Sequence, residues 1–379
     1  MIEKLNYRKS LAHLRKATEN GQQDLLAFSL LSASMSWKLL SFVLIVILLL
    51  LFFLSPSITG NIARKQIPVE NGSFHTLFCQ TDDCAAAMLD TIGNATEVKC
   101  AFYDLDFELL KELLDEKDAE VMVFEDNYDG FGTEIPARHG GLMHDKFCVL
   151  DAGTARARVI TGSTNPTMNG FTKNDNNLVI VEGEYLAQNY LDEWDELAGK
   201  KRERKVEYPL INHTDTLTNS SFLIENYFCP EDCDSEPSAS LRGGDAPKRV
   251  IDILDGAKES IYFMTFSFTL DDIGDLLIEK HEDGLKVEGV FEKRQESQYS
   301  EYEKLKDAGM DVHLDGNSAT MHHKVFIVDE STVLTGSWNP SKSGTTRNDE
   351  NVLIIHNQGI AQAFSGEFSR VWAVAAPEP

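Results

Sequence analysis

The stretch Leu142-Met-His-Asp-Lys-Phe-Cys-Val-Leu-Asp151 recurs as Thr320-Met-His-His-Lys-Val-Phe-Ile-Val-Asp329, and this repetition decides the fold. Each copy leads to a second shared block, Val159-Ile-Thr-Gly-Ser-Thr-Asn-Pro166 answering Val333-Leu-Thr-Gly-Ser-Trp-Asn-Pro340. A third pair closes the match, Lys173-Asn-Asp-Asn-Asn-Leu-Val-Ile-Val181 against Arg347-Asn-Asp-Glu-Asn-Val-Leu-Ile-Ile355. Three blocks in the same order mark an internal duplication. His144 and Lys146 lie two apart, as do His322 and Lys324, so a strand carries them on one face. Asp151 and Asp329, five beyond the lysine, fall on the other.

Between lysine and aspartate, Phe147 to Leu150 and Val325 to Val328 are uninterrupted apolar runs, the pattern of strands buried on both faces. They place each motif at the sheet edge of a core. Thr161-Gly-Ser-Thr-Asn165 and Thr335-Gly-Ser-Trp-Asn339 end a second strand in a tight turn, where glycine frees the backbone. Ser163, Asn165, Ser337 and Asn339 can present hydrogen-bonding groups there; the serines also read simply as turn residues. Each half thus offers an imidazole, an ammonium, a hydroxyl and a carboxamide, a set that suits a tetrahedral oxyanion such as phosphate. Alternating strand and helix patterns from Glu97 to Leu197 and from Ser260 to Trp372 predict an α/β sandwich in each half.

The pattern H-x-K-x4-D followed by G-S-x-N, present twice between roughly Phe78 and Trp372, resembles the signature of the phospholipase D superfamily. That resemblance implies two pseudo-symmetric α/β/α halves forming one shared active site. It implies further that one of His144 and His322 attacks phosphorus to give a phosphohistidine while the other protonates the leaving oxygen, with no metal and no cofactor. Lys146, Lys324, Asn165 and Asn339 would neutralise and orient the non-bridging oxygens. Asp151 and Asp329, facing away, are expected in structural ion pairs. The family often puts a carboxylate at the place of Glu350 to hydrogen-bond the histidine ring, whereas the aligned first-half residue is Asn176. A carboxylate stabilises a cationic imidazole and an amide only orients it, so His144 and His322 should differ in pKa. Family precedent favours His144 as nucleophile, and Glu350, in the half of His322, favours the other.

From Leu39 to Ala63 there is no charged residue, and Leu39 to Leu54 is almost wholly Leu, Ile, Val and Phe. With Ser55 to Ile58 added, the run is long enough to cross a bilayer. The expected organisation is therefore a cytoplasmic segment 1–38, a single transmembrane helix 39–58, a linker 59–75, a first half 76–205, a linker 206–225 and a second half 226–375. Lys4, Arg8, Lys9, Arg15, Lys16 and Lys38 precede the span, while Arg64 and Lys65 stand nearly alone after it. The positive-inside rule then puts the N-terminus in the cytoplasm and the catalytic region outside.

Cys79 and Cys84, and Cys229 and Cys233, open the two halves at equivalent places and read as short-loop disulfides; four thiolates on one zinc is the alternative. Cys100 and Cys148, in apolar strand-like runs, read as buried thiols. Just before the first motif, Asn127 to Gly141 is a glycine-rich loop where the second half has a helix and a strand. Its Tyr128, Phe131 and Arg138 are candidate substrate contacts, while His139 reads as a loop residue. The chain carries 35 Lys and Arg against 61 Asp and Glu, net −26, with the excess acidity after residue 38. Such a surface lacks the basic footprint of a general nucleic-acid binder. The expected function is a membrane-anchored phosphodiesterase that hydrolyses or transfers phospholipid headgroups. A nuclease of the same superfamily is the alternative, and intact motifs argue against a non-catalytic adhesion domain.

Overall fold

The two motif lysines open strands at the middle of two twisted sheets. A computed structural model describes residues 67–202, 204–233 and 245–375. The expected cytoplasmic segment and transmembrane helix lie outside the described residues; among the described residues no helix is long and apolar enough to cross a membrane. The described part belongs to one compact unit beginning at Ile67.

In chain order, β1 (Val69–Gly72), β2 (Phe74–Phe78), α1 (Cys84–Gly93), β3 (Val98–Phe102), α2 (Glu108–Glu116), β4 (Glu120–Phe124), β5 (Thr133–Ile135), β6 (Lys146–Leu150), β7 (Arg158–Gly162), α3 (Met168–Thr172), β8 (Asn177–Glu182) and α4 (Glu184–Leu197) come first. The second set is β9 (Leu210–Asp215), β10 (Ser220–Cys229), α5 (Asp245–Asp255), β11 (Ser260–Thr265), α6 (Asp271–Glu282), β12 (Lys286–Phe291), α7 (Tyr302–Asp307), β13 (Asp311–Leu314), β14 (Lys324–Val328), β15 (Thr332–Gly336), α8 (Lys342–Thr346), β16 (Glu350–His356) and α9 (Gln358–Val374).

The seven-stranded sheet runs β2-β8-β7-β6-β3-β4-β5. The nine-stranded sheet repeats that order as β10-β16-β15-β14-β11-β12-β13 and adds β9 and β1 at its edge. The motif strands β6 and β14 are therefore central, not at a sheet edge as the sequence suggested; an all-apolar run can be covered on both faces only there. β1 and β9, within segments expected as linkers, are paired parallel strands.

Helix α4 lays Leu186, Tyr190 and Trp194 into a core that also holds Phe147 and Val179 of the first sheet and Ile224 and Leu353 of the second. Helix α9 does the reciprocal job, packing Phe364, Phe368 and Val371 with Val325, Ile327 and, from the first sheet, Phe78. Side chains of this size each contribute roughly 1.5–3 kcal/mol when fully buried, so these two inner helices hold the halves together. The outer faces carry α1 and α2 on one sheet and α5, α6 and α7 on the other.

Three disulfides occur. Cys79–Cys84 and Cys229–Cys233 close the expected short loops, and no cluster able to hold a metal ion exists among the described residues. Cys100 and Cys148, expected as thiols, are bonded to each other: they sit directly opposite on β3 and β6, with Cα atoms 4.1 Å apart. Antiparallel partners come close enough to bridge, and neither strand's own sequence reveals the partner. The loop 127–141 is also more ordered than expected. It retains β5 as the counterpart of β13, paired parallel to β4, and lacks only the helix.

Candidate active site

Each motif histidine lies just before its strand and is fixed by the other half. The His144 N–H donates to the Asp349 carbonyl (2.9 Å), and the His322 N–H donates to the Asp175 carbonyl (2.9 Å). Short parallel bridges, Met143 with Asp349 and Asp175 with Met321, stitch the halves at these points. The ring contacts cross over as well. Nδ1 of His144 bonds Oε2 of Glu350 at 2.8 Å, and Nδ1 of His322 bonds Oδ1 of Asn176 at 2.9 Å. The carboxylate expected beside His322 thus belongs to His144, because β16 and β8 deliver their first residues across the junction.

The lysines follow the histidines onto the strands. Lys146 Nζ donates to the His144 carbonyl, and Lys324 Nζ donates to the His322 carbonyl at 2.8 Å. Lys146 Nζ also lies 5.0 Å from the centre of the Tyr103 ring, and Lys324 Nζ 4.8 Å from that of Phe266. The same two rings meet His144 and His322 edge-on, each with centroids 4.8 Å apart. These aromatics were missed in the sequence; their signal was an aromatic residue just past β3 and β11 in both halves.

Gly162 and Gly336 have φ of +130° and +133°, and a Cβ on either would meet a facing backbone oxygen, of Asn177 or Asn351, at 2.3 Å. Only glycine lets the chain turn this tightly. The turn sets Ser163 Oγ to donate to Asn176 Oδ1 (3.2 Å) and Asn177 Oδ1 (3.1 Å), and Ser337 Oγ to accept from the Asn351 N–H (2.9 Å). The serines therefore brace the residues that hold the histidine rings. The backbone of Ser337 also hydrogen-bonds the His144 ring, and that of Ser163 the His322 ring. Two residues further on, the carboxamide oxygens of Asn165 and Asn339 are buried without a hydrogen-bond partner. Buried polar groups left unpaired in an otherwise bonded site are the ones a ligand would engage.

The residue between histidine and lysine joins a second crossed network. Asp145 accepts from Asn351 Nδ2 (2.7 Å), and His323 Nδ1 bonds Asn177 Oδ1 (3.2 Å). Asp151 and Asp329 lie outside the site. Asp151 accepts the N–H groups of Thr96 and Glu97, with Arg156 and Arg158 at 3.6 and 3.7 Å. Asp329 accepts those of Lys258, Glu259 and Ser260, so backbone donors hold it rather than the expected ion pair. Of the loop residues, Arg138 reaches Asp349 at 3.6 Å and His139 reaches Glu231 at 3.6 Å, whereas Tyr128 and Phe131 pack on the outer core.

Burial dominates the electrostatics. It pushes both imidazoles well below their ordinary value, and Lys146 and Lys324 push each further in the same direction. Lys146 is lowered to about 8 by burial despite Glu350, and Lys324 is held well below its ordinary value. Burial raises Glu350 to about 8 against the pull of Lys146. Two cations and two neutral imidazoles in a dry site, within an otherwise acidic protein, make a receptor for a small anion.

Two α/β halves that each lend a histidine, a lysine and an asparagine to one composite site have the architecture of a phospholipase D-type protein. The chain belongs to that superfamily: residues 96–198 and 250–372, more than half of it, match the family described as "Cardiolipin synthase, PLD-like domain". A mitochondrial cardiolipin hydrolase of Chlamydomonas reinhardtii is 33% identical over 125 residues, covering 33% of this chain and 56% of that protein. This chain thus spans little more than half the length of that relative. A phospholipase D of Rickettsia conorii is 33% identical over 151 residues, covering 39% of this chain and 76% of the relative. The crystal structure of a phosphatidylserine synthase from Haemophilus influenzae superposes with a TM-score of 0.57 over 80% of this chain and 87% of that one; at 12% identity the likeness is one of fold.

Proposed function

We propose that the protein is a metal-independent phosphodiesterase of the phospholipase D type, acting on phospholipids through a phosphohistidine. The observation that carries this reading is the crossed pairing. Each histidine has Nδ1 committed to the opposite half, which leaves Nε2 of both for chemistry in a buried, lysine-lined site. The Glu350 carboxylate distinguishes the two. It stabilises the imidazolium that forms when His144 Nε2 bonds phosphorus, so His144 is the nucleophile and His322 the acid.

As the N–P bond forms, the P–O bond to the headgroup breaks and the proton of His322 Nε2 passes to the departing oxygen. A water, or an alcohol in the transfer reaction, then gives its proton back to His322 while its oxygen displaces His144 from phosphorus. His322 must begin protonated, which burial and the lysines oppose; the negative charge of the bound phosphodiester offsets both. Lys146, Lys324, Asn165 and Asn339 hold the non-bridging oxygens.

The apolar run 39–58 anchors this site beside lipid, with the N-terminus cytoplasmic, and three disulfides among the described residues suit an oxidising, extracytoplasmic side. The test incubates the full chain with labelled phospholipids and with single-stranded DNA, with chelator present, beside a His144→Ala, His322→Ala double variant. Lipid cleavage that survives chelation and vanishes in the variant is expected. Cleavage of DNA alone would replace the lipid reading with the nuclease one, and dependence on a divalent ion would overturn the mechanism.

A further inference from the structure

The cavity beside His322 is built differently from its counterpart beside His144. It has a volume of about 700 Å³ and is walled by the two segments that carry site residues, Phe266 to Thr269 and Asn339 to Ser343. Phe266 touches the His322 ring, Ser267 follows it, and the Thr269 N–H donates to the carbonyl of Pro340, next to Asn339 (2.9 Å). A third wall, Gln295 to Ser300, is tied to the histidine segment: Glu292 accepts the N–H of Met321, and Arg294 bonds Thr320. The cavity is thus continuous with the site on the side of His322.

Its lining is neutral and hydroxyl-rich. Ser267, Thr269, Gln295, Gln298 and Ser343 offer side-chain donors and acceptors, and none of these side chains is engaged with another group among the described residues. The charges nearby are already used. Lys304 holds Asp271 at 3.4 Å, Asp275 at 2.8 Å and Glu301 at 2.9 Å. An amine or quaternary ammonium would need a free carboxylate or an aromatic cage, which these walls lack.

The repeat supplies a control. Where the second half has Ser267, Thr269, Asp272 and Lys342, the first has Asp104, Asp106, Leu109 and Met168. Asp106 is occupied by the Met168 N–H (2.7 Å), and Leu109 and Met168 are 57% and 52% exposed. The flank of His144 therefore presents apolar side chains and that of His322 presents hydroxyls and amides.

We propose that the Ser267–Thr269–Gln298 cavity is the leaving-group subsite and takes an uncharged polyol headgroup, with the apolar diacylglycerol portion lying toward Leu109 and Met168. This rests on His144 as nucleophile: in-line displacement sends the departing oxygen away from His144, toward His322 and this cavity.

The experiment compares the full chain with a Ser267→Val, Thr269→Val, Gln298→Leu variant in mixed micelles. The substrates are phosphatidylglycerol, phosphatidylcholine and the small diester bis(p-nitrophenyl) phosphate, which bears no polyol. The unaltered protein should prefer phosphatidylglycerol to phosphatidylcholine about tenfold or more in kcat/KM, since a site with unpaired polar groups rejects ligands that cannot bond them. The variant should lose about tenfold or more on phosphatidylglycerol, from two or three neutral hydrogen bonds, and less than about threefold on the nitrophenyl diester. An unchanged lipid preference in the variant, or equal losses on all three substrates, overturns the subsite. Cleavage of DNA with neither lipid cleaved removes the lipid reading instead, a result distinct from lipid cleavage without headgroup preference.

Discussion

Glu350→Gln separates the contribution of the crossed carboxylate from its cost. The variant keeps size and polarity but replaces the charge-assisted bond to His144 Nδ1 with a neutral one. Charge-assisted hydrogen bonds contribute about 1.5–3 kcal/mol and neutral ones about 0.5–1.5, and an imidazolium a few ångströms from a carboxylate gains more in a buried site. A loss of about 1.5–3 kcal/mol in stabilising the phosphohistidine corresponds to roughly 10- to 150-fold in kcat. The amide also cannot satisfy both neighbours as the carboxylate does, since Asn348 Nδ2 donates to Oε1 (3.1 Å) while the His144 ring bonds Oε2. Stability should move the other way. Burial raises the Glu350 carboxyl from 4.5 to about 8, so it ionises more readily in the unfolded chain, and its contribution to stability declines as pH rises from about 4.5 to about 8. At pH 7.5 the glutamine variant should therefore melt at the same temperature or higher. The assays are single-turnover kinetics with acid-quench trapping of the labelled intermediate, and thermal melting. A kcat within twofold of the unaltered protein, or label found on His322 rather than His144, would refute the assignment.

Three further outcomes follow from the same geometry. Because burial lowers Lys146 to about 8, its positive charge is lost as pH rises through that value; kcat/KM should fall above about pH 8, and Lys146→Arg should move that limb upward at a lower maximum, read from a pH–rate profile. Asp329→Ala strands the Lys258, Glu259 and Ser260 N–H groups and leaves alanine at a φ of +51°; denaturant unfolding should show a loss of about 2–4 kcal/mol, with kcat per folded molecule changed less than threefold. Replacing both Cys100 and Cys148 by Ala opens a cross-link spanning 48 residues and should cost about 2–4 kcal/mol by the same measure, while mass spectrometry of the unaltered chain finds no free thiol at either position.

Much of the architecture was legible locally. Strand β12 and helix α4 fall on the boundaries their patterns predict, Lys286–Phe291 and Glu184–Leu197, because period-two and period-3.6 burial are written into neighbouring letters. The short cysteine loops were legible for the same reason. Tyr103 and Phe266 could have been found by aligning the halves beyond the motifs. Other features had no local trace. The Cys100–Cys148 bond depends on the register of β3 against β6, and the place of β1 beside β9 depends on a crossover between sheets.

The duplicated motif by itself determined the chemistry on offer, two histidines, two lysines and two asparagines, and the α/β halves that carry them. It could not determine which histidine receives the carboxylate. Glu350 and Asn176 occupy equivalent positions within their halves, and the reading by halves paired each with the histidine of its own repeat. Folding pairs them across the junction instead, over 206 residues for His144 and Glu350 and 146 for His322 and Asn176. Contacts at such separations are set by how two sheets dock through α4 and α9, and only the docked structure gives His144 the carboxylate.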